Sequence, residues 1–126
     1  MNRRDFTLSA TLSAVAALTG CRQEGGLDKM YGIIGKMVAI EGKRDELISI
    51  LLDGTKDMPG CLSYVLSKDL ADPNSLWITE VWESQESHQA SLSLEPVKQA
   101  IALGRPLIAG FGERFETMPV GGHGIG

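Results

Sequence analysis

The chain is poor in cysteine, in aromatic side chains and in surplus positive charge. Its 126 residues hold two cysteines, two tryptophans, two tyrosines and three phenylalanines, and its net charge is −4. No basic stripe runs along it, which removes the electrostatic footprint that nucleic-acid binding requires. It has no internal repeat, no heptad pattern and no zinc-finger spacing. It lacks the G-x-G-x-x-G fingerprint of dinucleotide sites, H-E-x-x-H, and any cluster of histidine and carboxylate at metal-ligand spacing. No cofactor and no metal are therefore expected. The longest run of small and apolar residues, Thr7 to Gly20, is shorter than the roughly 20 residues that span a bilayer.

What is present suits one domain. Hydrophobic residues make up 43% and charged residues 22%, enough for one core in a chain of this length. The opening segment reads as an export signal over residues 1–20: a positive stretch, "MNRRDF", then "TLSATLSAVAALTG". Arg3, Arg4 and Phe6 resemble a twin-arginine signal. "LTGC", Leu18 to Cys21, resembles a bacterial lipobox, and that resemblance implies cleavage before Cys21 and lipid attachment to its thiol. The expectation is an envelope lipoprotein held at a membrane by its acylated N-terminus. Residues 21–29 then form a polar tether, and Cys61, left without a partner, becomes a small buried hydrophobe.

From Met30 the periodicities alternate. "YGIIGKMVAI", Tyr31 to Ile40, reads as a strand. Leu47, Leu51, Gly54 and Met58 recur at helical spacing, and Pro59-Gly60 stops that helix. "CLSYVLSK", Cys61 to Lys68, is a second strand. Asp72-Pro73-Asn74 turns the chain into a third, "LWITEVW", Leu76 to Trp82. Ser84 caps a second helix that runs through Leu94, and Pro96 starts a further helical piece, Val97 to Leu103. Gly104 ends it, "RPLIAGFG" connects, and "ERFET", Glu113 to Thr117, is the last strand. Residues 118–126 are a glycine-rich tail.

The order β-α-β-β-α-β is the ferredoxin-like arrangement, an α+β fold with both helices on one face of a four-stranded antiparallel sheet. Alternation places Leu62, Tyr64 and Leu66 on one side of strand two. It places Leu76, Ile78, Glu80 and Trp82 on one side of strand three, and Trp77, Thr79 and Val81 on the other. Both sides of strand three are apolar, so the second sheet face is expected to be covered by another copy, in a homodimer.

This order resembles the antibiotic biosynthesis monooxygenase family of dimeric α/β-barrel proteins. The likeness spans residues 30–117 and is carried by the strand-helix opening, the "MPGCLSY" turn, and "LWITEVWES" leading into a helix. It implies a cavity between sheet and helices in each subunit. It also implies a cofactor-independent oxygenase acting with O2 on a small aromatic substrate of the quinol or anthrone kind. An electron-rich ring of that kind can itself reduce O2. The protein then has to hold the ring, exclude water and help remove a proton.

Under that resemblance Trp82 corresponds to the family's strand-end tryptophan and is expected as a pocket wall, with core packing as the alternative. Tyr64 is expected to orient a substrate oxygen, or else to be a core residue with its hydroxyl satisfied. His88, in the first turns of helix two, is the candidate base, with a surface or capping histidine as the plain alternative. Many family members carry their histidine about three residues later, where this chain has Ser91. The haem-degrading branch carries an iron-binding histidine further along the helix, and "VKQAIALG" has none. Glu80 is either ion-paired across a dimer or pocket-facing. His123 lies in the tail, where a metal role and a loose end are both open. A non-catalytic, lipidated dimer that binds a hydrophobic small molecule or a partner protein is the alternative reading of the whole.

Overall fold

The computed structural model describes residues 29–125, so the segment expected as an export signal, and Cys21 with it, lie outside the described residues. Four strands and three helices follow one another as β1 (Tyr31–Ala39), α1 (Arg44–Gly54), β2 (Cys61–Lys68), β3 (Ser75–Trp82), α2 (Gln85–Ser91), α3 (Glu95–Gly104) and β4 (Ile108–Thr117), with a 3-10 turn at Arg105–Leu107. All pairings are antiparallel, and the strand order is β2-β3-β1-β4. This is the ferredoxin-like α+β fold, with helix two divided into α2 and α3. Among the described residues no helix is long and apolar enough to cross a membrane.

Leu47 and Leu51 of α1 pack against Ala39, Leu76 and Ile78 of the sheet, and this cluster is the core. Two glycines let the helices approach. A Cβ at Gly54 would collide with Ala100 and the Pro96 carbonyl of α3, and one at Gly104 would press on Leu47. The "PG" turn has a similar role at the other end of the sheet. Gly60 holds φ at +84°, and a side chain there would strike Ser87. Positive φ and lack of room both require glycine, and the turn can then lie against the start of α2.

Three boundaries differ from the sequence reading. Helix α1 ends at Gly54 rather than near Met58, because the chain leaves the helix once Gly54 has met α3. Helix α2 stops at Ser91, before Leu94. There the Ser91 hydroxyl donates to the His88 carbonyl at 2.6 Å, and Leu94 turns extended to become the N-cap of α3, with Pro96 in its first turn. Strand β4 begins at Ile108, five residues ahead of Glu113. Gly110 and Gly112 read as a connection, but both lie within the strand: Gly110 pairs with Val38 of β1, and Gly112 falls at the register shift between Phe111 and Arg114. Gly112 has no side chain because the Lys36 stem packs onto it.

A bulge at Leu62 also changes one face assignment. Cys61 pairs with Trp82, but Ser63 pairs with Val81. The extra residue brings Cys61 to the helix side beside Trp82 and leaves Leu62 exposed. Tyr64 and Leu66 stay on the helix side, opposite Glu80 and Ile78. The face away from the helices carries Ile34, Val65, Trp77, Val81 and Phe115. Val65 and Phe115 are about half exposed there, at 48% and 54%.

Candidate active site

The helix-side face of the sheet holds a two-part cleft. The larger part, about 510 Å³, lies between β1 and β4 on one side and α1 and α3 on the other, walled by Leu51, Ala100 and Ile108. The smaller part, about 290 Å³, lies over the middle of the sheet and is lined by Ile33, Gly35, Ile78, Glu80 and Arg114. Met37 and Phe111 line both parts and join them. Phe111 is 73% exposed, so an aromatic ring stands at the opening.

Glu80 is the acid of this cleft. Strand alternation points it at the helices, between Ile33 of β1 and Tyr64 of β2. Its side chain is only 13% exposed. One carboxylate oxygen accepts the Trp82 indole N–H at 2.8 Å, and the same oxygen is 3.9 Å from His88 Nε2. Burial pushes the Glu80 carboxyl above its ordinary value, against the opposing pull of the Trp82 hydrogen bond and of the His88 and Arg114 charges. A carboxyl raised in this way holds a proton more readily than one at its ordinary value, which suits it to proton transfer.

His88 stands behind Glu80. Ser84 caps α2 by accepting the Ser87 N–H at 3.1 Å, and this sets the helix so that residue 88 faces the sheet. The imidazole sits between two rings, 5.5 Å from Trp82 in an edge-on arrangement and 5.6 Å from Tyr31. Its Nδ1 is buried without a hydrogen-bond partner. Tyr31 donates its hydroxyl to Glu116, which pairs with Arg114 at 3.7 Å. Burial pushes the Tyr64 hydroxyl well above the ordinary tyrosine range, with the Glu80 charge adding to it. Cys61, half-buried, is also raised by burial.

The structure thus brings Trp82, Tyr64 and His88 together around Glu80. Trp82 is 1% exposed and meets the cleft through its bond to Glu80, whereas Glu80 itself lines the wall. His123 lies exposed in the tail. No group of three or more His, Cys, Asp or Glu side chains able to hold a metal ion occurs among the described residues. The sequence reading left Glu80 outside its candidate site residues and did not single out Arg114. The available signal was an acid between Ile78 and Trp82 on an otherwise apolar strand face. Arg114 could not be placed in the cleft without the register of β4.

The family model for antibiotic biosynthesis monooxygenases matches residues 30–103. The chain belongs to this family. A protein from Chloroflexus aurantiacus J-10-fl that carries the same family name is 65% identical, with a TM-score of 0.75 over 77% of this chain and 99% of its own. A Caulobacter crescentus CB15 protein of that family name is 20% identical, with a TM-score of 0.63 over 77% and 93%. A Pseudomonas aeruginosa protein is 16% identical, with a TM-score of 0.66 over 75% and 98%. These last two show the fold alone. No curated protein matches. The antibiotic biosynthesis monooxygenase segment contains Glu80, Trp82 and His88, whereas Phe111 and Arg114 lie past it on β4.

Proposed function

We propose that the protein is a monooxygenase that needs no cofactor and oxidises a small, flat aromatic substrate of the quinol or anthrone kind with O2. The observation that carries this reading is a buried acid, Glu80, facing an apolar cleft and backed by His88 and Trp82. Removing a proton from such a ring raises its electron density, and the resulting anion passes electrons to O2. One oxygen atom ends on the ring carbon. The other leaves as water with the two hydrogens that the substrate has lost, both from one carbon in an anthrone, and from a ring carbon and a hydroxyl in a quinol. Glu80 receives the first proton at the cleft wall. His88 stabilises the carboxylate from behind, and Tyr64 and Trp82 keep water from its flanks. This moves the role of base from His88 to Glu80 and makes His88 its positioning partner.

The reading includes a homodimer formed through the face that carries Ile34, Trp77, Val81 and Phe115, where half-exposed apolar residues favour a second sheet. It also includes attachment to the cell envelope through lipid on Cys21, supported by the "LTGC" pattern. Membrane fractionation of wild type against Cys21→Ser tests the attachment. Oxygen uptake by the purified protein with hydroquinones and anthrones, with and without chelator, tests the reaction. Uptake above the uncatalysed rate and unchanged by chelator supports it. No uptake by a folded protein that still binds an aromatic probe would make the cleft a binding site without turnover.

A further inference from the structure

The smaller part of the cleft has a floor without a side chain and a cation at one side. Gly35 pairs with Ile78 on β3 and with Arg114 on β4, so all three share the helix-side face. A Cβ built on Gly35 meets nothing within 4 Å. The glycine is therefore not required by crowding from neighbouring protein atoms, and the space above it belongs to the cleft. One pleat along, Ile33 pairs with Glu80 on one side and Glu116 on the other. Glu80 and Arg114 thus stand on strands that flank β1, with backbones two strand spacings apart, roughly 10 Å. A flat ring laid over Gly35 has the acid at one edge and the guanidinium at the other.

Arg114 is the cation available here. Lys36 also lines this part, but its ammonium lies 5.8 Å from the Trp77 ring centre, on the far face of the sheet. The link from Arg114 to Glu116 is half-exposed and 3.7 Å long, and Glu116 also receives the Tyr31 hydroxyl. A guanidinium has five N–H donors in a planar fork suited to paired oxygens, and this ion pair leaves donors free.

We propose that Arg114 selects the substrate of this cleft, docking an anionic oxygen of a planar aromatic molecule whose ring lies across Gly35 and whose reacting position faces Glu80. The oxygen belongs to a carboxylate or to an ionised ring hydroxyl. The proposal rests on the cleft being the substrate site, as in the function proposed above, and names the class of molecule that fits it.

Isothermal titration calorimetry tests this without turnover. The probes are naphthoate, the ionised phenol dinitronaphthol, and the neutral isostere naphthamide. Wild-type protein should bind at least one charged probe about tenfold more tightly than naphthamide. Preference for naphthoate alone identifies a carboxylate, and preference for dinitronaphthol alone an ionised hydroxyl. Arg114→Gln should erase the preference and leave naphthamide binding unchanged, while Arg114→Lys should keep part of it. Gly35→Ala should weaken all three probes, because its methyl group occupies the floor. Arg105 lines the larger part of the cleft, so Arg105→Gln is the control and should leave the preference intact. The proposal is overturned if no probe binds, if Arg114→Gln keeps the preference, or if Arg105→Gln removes it. A preference that depends on Arg114 in a protein showing no oxygen uptake would sink the oxygenase reading and leave this one standing.

Discussion

The two ends of strand β3 treat buried polar groups in opposite ways. At the Ser75 end nearly all of them are satisfied. The Ser75 hydroxyl donates to Asp72 at 2.7 Å. Arg44 Nη1 donates to the carbonyls of Asp69, Asp72 and Ser75 at 3.3, 3.0 and 3.1 Å. Asp69 takes two backbone N–H groups and the Trp77 indole. Only Arg44 Nε is left over. At the Trp82 end a carboxyl is buried with a single hydrogen bond, beside a histidine that has an orphaned ring nitrogen. Burying a charge with so few partners costs stability. The first end fixes a turn and the register of a hairpin. The second holds a carboxyl whose burial favours its protonated form.

If that contrast is right, the ends should respond differently to substitution. The largest effect is expected at Trp82, which serves both purposes. Trp82→Ala empties a fully buried site and removes the donor to Glu80, and it should cost about 3–5 kcal/mol of stability, read from the urea midpoint. A loss below about 1 kcal/mol would show that the site collapses easily and is not a structural anchor.

Glu80→Gln comes next and should separate stability from activity. The amide still accepts the indole N–H but cannot take a proton. Oxygen uptake should fall by about 10²–10⁴-fold with no loss of stability at neutral pH. The pH dependence has a definite sign. A carboxyl whose folded value is raised binds more protons folded than unfolded, so its contribution is full below the ordinary 4.5. That contribution is lost as pH rises through the raised value. Wild type should therefore lose stability over that window relative to Glu80→Gln. Parallel denaturation curves across it would mean that Glu80 is not buried as described.

Arg44→Met should do the reverse at the other end. Releasing three carbonyls at the β2–β3 turn should cost about 1–3 kcal/mol and leave turnover per folded molecule unchanged. A loss of turnover at full stability would erase the distinction between the two ends.

This contrast was only half legible in the sequence. Asp72-Pro73-Asn74 marks its turn through local chemistry, and Cys61 to Lys68 declares strand β2 by alternation. The spacing of Leu47, Leu51 and Gly54 announces the buried face of α1. All of these are signals between near neighbours. The site depends on pairings across the chain. Glu80 meets Ile33 through β1, and Arg114 reaches the cleft only because Gly35 pairs with it across a bulged ladder. The bulge at Leu62, which turns Cys61 toward Trp82, leaves no mark in the local pattern. Gly110 and Gly112 concealed a strand because glycine also serves where no turn is made: at Gly112 it lets the Lys36 stem pack closely.

The smallest expected effect is the most discriminating. The His88 charge pulls the Glu80 carboxyl down, after burial has raised it and alongside the Trp82 hydrogen bond. Replacing His88 by Gln removes that pull while keeping a polar side chain of similar reach beside Trp82. If Glu80 is the base and His88 its partner, turnover should fall modestly and its acidic limb should move to higher pH, because the carboxyl then holds its proton longer. Glu80→Gln should lack that limb. If His88 is itself the base, His88→Gln should abolish turnover and Glu80→Gln should retain most of it. The two pH–rate profiles, measured on the same substrate, decide between one proton acceptor at the cleft wall and one behind it.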